Sequence, residues 1–310
     1  MSCDLDRLRT GTLDWLRHHL DYFDPFTQAA RSSAHGKAKA ALELALLCHC
    51  GARPGTFDDP RLDQATDLVR TLWQRPDLAG LLGAEPRYAA SYALACVAFA
   101  PAGIDDRVCR DALAALSGDE PAAAGGTPYQ RLELRYYADK AGVPHTLEPY
   151  EELAAAGVLA TLPAAVAERR PAPGEAPVSI PEAYALTHSS FYLSDFGAAA
   201  PQLPPGAAES ALPLVRRLLA HCVERKWWDL AAELVLTEAC LGAEPLAAPW
   251  GAEAVACLAR AQRPDGGIPG RSPRTAAAAS DPAAVRFEKG YHTTLVTALM
   301  ALVVSRVRVP

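Results

Sequence analysis

Tyr88-Ala-Ala-Ser-Tyr-Ala-Leu-Ala-Cys-Val-Ala-Phe99 is apolar on nearly every side of a helix, and so is Thr294-Leu-Val-Thr-Ala-Leu-Met-Ala-Leu-Val-Val304. Both are too long for a typical strand and lack its alternation. A helix with no wet face is surrounded by protein. Neither run reaches the roughly twenty apolar residues that a membrane span requires.

The segments between such runs are of another kind. Leu5, Leu8, Trp15 and Leu16 share one stripe, as do Leu62, Ala65, Val69 and Leu72, and again Leu212, Val215, Leu219 and Cys222. These helices have one dry face and one wet face. Division at Pro/Gly clusters predicts about twelve helices, near 4–20, 33–50, 61–74, 86–100, 104–117, 127–141, 148–160, 181–196, 207–224, 226–241, 246–262 and 289–306. One-sided and all-round apolar segments alternate along the chain, as two concentric layers would require. The exception is Arg131-Leu-Glu-Leu-Arg-Tyr-Tyr-Ala-Asp-Lys140, too polar to be surrounded. The expected fold is all-α, an α/α toroid of about six helical hairpins with even-numbered helices inside; the alternative is an open solenoid. Alternation continues across the Pro-rich links at 161–183 and 197–213, so residues 1–310 read as a single domain.

The 310 residues carry a net charge of −6, with 50% apolar and 21% charged. This is a globular balance. No basic stripe of the kind nucleic acid selects is present. Met1-Ser2-Cys3-Asp4 lacks the layout of a signal peptide, and most of the eight cysteines sit in apolar stretches. A cytoplasmic protein with reduced thiols is expected. The chain has no asparagine and is rich in Ala, Arg and Pro, as a GC-rich bacterial genome would give.

Parallel inner helices would gather their N-termini at one rim. The first turns there carry His35, Lys37 and Lys39; Arg87, Tyr88 and Tyr92; Arg131 and Arg135; Thr187, His188 and Tyr192; Trp228, Asp229 and Glu233; and Tyr291, His292 and Thr293. Polar groups converging on an apolar cavity mark a ligand site. The plainer reading is that Thr187, Asp229 and Thr293 cap their helices. Asp58-Asp59 with Asp63, and Asp105-Asp106 with Asp111, have the form of acidic pairs that hold magnesium and diphosphate. Both sit where an outer helix begins, and capping is the preferred explanation. Cys48-His49-Cys50 ends an apolar helix, where adjacent side chains diverge. Asp195-Phe196-Gly197 ends another, with Gly197 suited to the C-terminal cap.

Cys257-Leu-Ala-Arg-Ala-Gln262-Arg-Pro-Asp265-Gly266-Gly267-Ile-Pro-Gly270, followed by Gly290-Tyr291-His292-Thr293-Thr294, resembles the β subunit of protein prenyltransferases. That family shares an α/α toroid with terpenoid cyclases, whose Gln…Gly-Gly…Trp motif the segment also approaches. The resemblance implies a zinc-ligand role for His292 and, through the family's Asp-x-Cys pair, for Asp229. Ala231 stands where that Cys would be, which removes the thiolate. His188, outside the family pattern, is the remaining candidate for a zinc site of His188, Asp229 and His292. The Asp-rich acid motif of triterpene cyclases is absent.

The expected function is an enzyme of bacterial specialised metabolism acting on an apolar or peptide-like substrate in the central cavity. His/Asp acid–base chemistry or a metal would drive cyclisation or transfer, with His188, Asp229, His292, Tyr192 and Tyr291 catalytic. His35, Arg87, Tyr88, Trp228 and Glu233 would contact substrate. The alternative is a non-catalytic helical binding or scaffold protein.

Overall fold

The computed structural model describes residues 2–27, 33–53, 59–116, 126–169, 174–270 and 282–306. Among them the regular elements are helices and there is no strand. In chain order they are α1 (Ser2–His18), α2 (Leu20–Phe23), α3 (Ala34–Gly51), α4 (Asp63–Trp73) and α5 (Asp77–Leu82). There follow α6 (Pro86–Ala98), α7 (Arg107–Leu116), α8 (Pro128–Ala141), α9 (Tyr150–Ala156) and α10 (Val158–Arg169). The last are α11 (Ile180–Leu193), α12 (Ala207–Glu224), α13 (Trp228–Cys240), α14 (Pro249–Ala261) and α15 (Pro282–Arg306). No helix of the described residues is long and apolar enough to cross a membrane.

Local chemistry sets the starts of these helices. Ser33 accepts the Gly36 amide at the start of α3. Thr127 with Gln130, and Ser179 with Glu182, form reciprocal capping boxes ahead of Pro128 on α8 and Pro181 on α11. Thr187 and Thr293 lie well inside their helices, and the N-cap position of α13 is Trp227, so none of Thr187, Asp229 and Thr293 is a cap. The link expected at 161–183 instead holds most of α10, with Pro163 in its second turn. There a proline loses one hydrogen bond and bends the helix without ending it.

Packing follows the predicted alternation. Along one set, α3 packs against α6, α6 against α8, α8 against α11, α11 against α13, α13 against α15, and α15 against α3. The amphipathic helices lie on these: α1 on α15, α4 on α3, α7 on α6, α9 on α8, α10 on α11, and α12 and α14 on α13. Residues 293–305 are continuously buried, as expected of α15. Residues 93–99 are buried too, but Tyr88, Ser91 and Tyr92 are half-exposed because they face a cavity. Cys96 on α6 and Cys109 on α7 form a disulfide, where reduced thiols were expected. Their Cα atoms are 6.1 Å apart, within reach of a bridge that spacing along the chain does not reveal.

The Gln262-to-Gly270 segment is a clamp between α1, α14 and α15. The Gln262 amide donates to the Gly266 carbonyl at 3.0 Å and reaches the Leu8 carbonyl at 3.4 Å. Ile268 N–H donates to Thr294 Oγ1, and Gly270 N–H to the Lys289 carbonyl. Gly266 has φ +90°, and a Cβ there would overlap the Gly11 carbonyl oxygen. Gly266→Ala is therefore expected to cost about 2 kcal/mol or more, from strain and displacement together. Urea denaturation measures it, and an unchanged midpoint would show that the loop does not lean on α1.

Candidate functional site

A cavity of about 630 Å³ lies among α3, α6, α8, α11, α13 and α15, which supply its lining together with Phe99 and Phe196 just beyond α6 and α11. Five of them contribute a stripe at helical spacing, and α13 contributes Glu233 alone. The stripes on α3, α6, α11 and α15 begin polar and become mostly apolar, and the stripe on α8 is polar throughout. On α3 the stripe is His35, Lys39, Leu42, Glu43 and Leu46; on α15 it is His292, Leu295, Val296 and Leu299. On α6 it runs Tyr88, Tyr92, Ala95 and then Phe99. On α11 it runs Tyr184, His188, Phe191 and Tyr192.

The polar ends meet around one carboxylate. Glu233 on α13 is 1% exposed, and its Oε2 accepts a hydrogen bond from Thr187 at 2.7 Å. His188 Nε2 and His292 Nε2 stand 3.7 and 3.8 Å from its Oε1. On its other side, His292 Nδ1 lies 3.0 Å from Glu43 Oε1, which also pairs with Lys39 at 3.5 Å. The Tyr129 hydroxyl is 3.0 Å from His188 Nδ1. The result is one polar chain from Lys39 through Glu43, His292, Glu233 and His188 to Tyr129. His35 joins α3 to α6 by a 2.9 Å hydrogen bond with Tyr92.

These neighbours set the charges. Burial works against a charged imidazole at His292, but Glu43 and Glu233 outweigh it and raise its pKa to about 10. Burial likewise opposes charge on Glu43, and His292 and Lys39 reverse that, holding it at about 2. Glu233 is held well below the usual carboxylate range against its own burial, by His188 and His292. Burial drives Tyr137 and Tyr192 upward, with the Glu133 charge adding to it, so both stay neutral donors.

The residues singled out in sequence divide. His35, Tyr88, His188, Tyr192, Glu233 and His292 line the cavity. Asp229 does not: it is buried one turn before Glu233 and accepts a 2.6 Å hydrogen bond from the Tyr184 hydroxyl. Tyr291 does not either; it stacks on Phe287 and meets Phe23 edge-on, on the side of α15 away from the hollow. Arg87 is exposed beside the Tyr88 ring, and Trp228 packs on the core outside the cavity. His188, Asp229 and His292 thus do not form one ligand set, and no group of three His, Cys, Asp or Glu among the described residues is disposed to hold a metal.

Glu43, Glu133, Tyr129, Tyr137 and Tyr184 line the cavity without having been singled out for it. Their signal was spacing: Tyr129, Glu133 and Tyr137 recur at intervals of four on the segment read as an exception. A helix facing a hollow can be polar on that face.

The other motifs are structural. Asp59 and Asp105 accept from the Arg61 and Arg107 amides at turn starts, and Asp58 lies outside the described residues. Cys48 is a buried thiol pushed up to about 12, and burial lowers His49 to about 4. Asp195 is a hub at the far end of the cavity, taking hydrogen bonds from Arg53, Tyr136 and Lys140 at 2.7–2.8 Å.

A family model described as a domain of unknown function, DUF6895, matches residues 9–302. No curated protein and no solved structure matches the chain.

The raised pKa of His292 fixes a sign. A folded-state pKa of about 10 against 6.5 gives stability that is complete below pH 6.5 and is lost as pH rises toward 10. Stability measured by urea between pH 7 and 9 should therefore fall in the wild type and fall less in His292→Ala. In NMR the His292 ring should titrate near 10; a midpoint near 6.5 would dissolve the Glu43–His292–Glu233 arrangement.

Proposed function

We infer, for a chain that belongs to the DUF6895 family, that it is an enzyme moving protons on an apolar or peptide-like substrate held in this cavity. The carrying observation is that two imidazoles from different helices meet one buried carboxylate where an apolar cavity turns polar. Its volume of about 630 Å³ is that of a small-molecule site.

In this reading Glu233 orients His188, and His188 takes and returns the proton; Tyr129 fixes the other ring nitrogen. His292, held cationic between Glu43 and Glu233, stabilises the negative charge that develops on the substrate. The roles assigned in sequence to Asp229 and Tyr291 pass to Glu233 and Tyr129, which reach the imidazole. Cyclisation or transfer within specialised metabolism is the class of reaction this supports.

We also read the six cavity helices as the inner ring of an α/α toroid. An open solenoid leaves its two terminal repeats without mutual contact, whereas α15 packs on both α13 and α3. The Gln262-to-Thr294 segment supports kinship with the prenyltransferase β-subunit and terpenoid-cyclase group, with His292 the residue shared at the cavity.

Comparing the metabolites of cells that produce wild type, Glu233→Gln or His188→Ala tests the chemistry. Products formed with the wild type should drop by about 100-fold or more in both variants, the scale of a lost general base. Far-UV circular dichroism checks that each is folded. Identical metabolite profiles from folded variants would leave a binding protein and remove the enzyme.

A further inference from the structure

Three carboxylates line the cavity, and the chain neutralises two. Glu43 has Lys39 and His292, and Glu233 has His292 and His188. Glu133 has no ion pair among the described residues: its Oε1 accepts a 2.8 Å hydrogen bond from the Tyr192 hydroxyl, and the one basic side chain that acts on it, His188, lies beyond ion-pair distance and pairs with Glu233. The two arginines beside it on α8 are committed elsewhere, Arg131 to Glu148 and Arg135 to Asp139 and the Leu147 and Glu148 carbonyls.

What surrounds Glu133 is aromatic. Tyr129 and Tyr137 lie one turn before and one turn after it on the same face of α8, and Tyr192 faces them from α11. The Tyr137 and Tyr192 rings meet edge-to-face at 5.7 Å, and those of Tyr129 and Tyr192 stack at 6.4 Å. A carboxylate among aromatic faces attracts a cation twice, by its charge and by the ring quadrupoles. A buried carboxylate without an ion pair is costly, and burial shifts Glu133 upward although the Tyr192 hydrogen bond and the more distant His188 oppose it. Leu42, Leu46, Leu295 and Leu299 continue the same cavity as apolar wall.

We propose that Glu133, Tyr129, Tyr137 and Tyr192 form the head-group subsite for a small organic cation on an apolar body, an amphipathic amine. The ammonium sits against Glu133 among the tyrosine rings, and the hydrocarbon lies along the leucines. This rests on the cavity being the functional site, and it requires no chemistry there.

Isothermal titration of the full chain near neutral pH with octylamine, 1-octanol and octanoate tests it. Octylamine should bind about tenfold or more tighter than the alcohol, the scale of a charge-assisted buried hydrogen bond, and octanoate most weakly. Glu133→Gln should remove the amine's advantage and leave 1-octanol unchanged. Octanol or octanoate binding as tightly as the amine overturns the proposal, as does an amine preference that survives in Glu133→Gln. Should that variant not fold, the wild-type ranking of the three probes decides alone. Amine preference combined with metabolites indifferent to Glu233→Gln upholds the subsite without an enzyme. Altered metabolites without amine preference sink the subsite and leave the chemistry.

Discussion

Glu233 is a charged group buried in the wall of a hollow, and the polar chain around the cavity depends on satisfying it. Removing a carboxylate from water costs several kcal/mol unless charges and donors replace the lost hydration. Thr187, His188 and His292 supply those replacements from the neighbouring helices α11 and α15. The arrangement also fixes register, because α11, α13 and α15 must reach equal depth for all three to meet one side chain. Ser190 and Thr237, one turn further along α11 and α13, meet as well, at 3.3 Å. Neighbouring cavity helices therefore run parallel here, and their polar residues gather at one level.

That parallel arrangement explains why only part of the site was legible in the sequence. Alternation of one-sided and all-round apolar helices exposed the layering, since burial leaves a periodic trace. The first-turn placement expected of His188 and His292 was off, since both lie in the third turn of their helices. Position along a helix also carries no direction, because each further residue turns the side chain by 100° about the axis. His292 therefore faces the hollow while its neighbour Tyr291 faces Phe23 and Phe287. Asp229 and Glu233 share a face four residues apart, yet the first is taken up by Tyr184. Glu133 was hidden for the opposite reason. The polarity of α8 looked like exposure, although a helix beside a cavity has a third kind of surface, neither core nor bulk solvent.

The C-terminal segment that resembles the prenyltransferases carries two separate pieces of physics. Gln262, Gly266 and Gly267 hold the loop before α15 against α1, and Gly267 approaches the Trp15 indole so closely that a side chain there would collide. His292 lies two turns and more into α15, facing the hollow. The clamp fixes the height at which α15 stands, and Thr294, which bonds Ile268, sits two residues after His292. A loop with no group in the cavity thus sets the level of the imidazole within it. One stretch of sequence can mix positioning residues with residues that face the cavity, and only the geometry separates them.

The far end of the cavity shows why the polar groups belong at the other. Beyond the apolar stripes, Phe99 and Phe196 form part of the wall, and Asp195 gathers Arg53 from beyond α3 and Tyr136 and Lys140 from α8. Asp195, Phe196 and Gly197 all have positive φ, which turns the chain sharply after α11 and directs the Asp195 carboxylate at those donors. Two consecutive non-glycine residues in that region carry strain, which persists only where neighbours over-determine it. Here the neighbours are two cations and a phenol, and they hold Asp195 below the usual carboxylate range. The Asp195 carboxylate is thereby satisfied by the protein's own donors. Glu133, one turn before Tyr136 and Tyr137 on α8, has the Tyr192 hydroxyl and no ion pair among the described residues. On the amine-subsite proposal, that difference between the two carboxylates would orient an amine with its charge at Glu133.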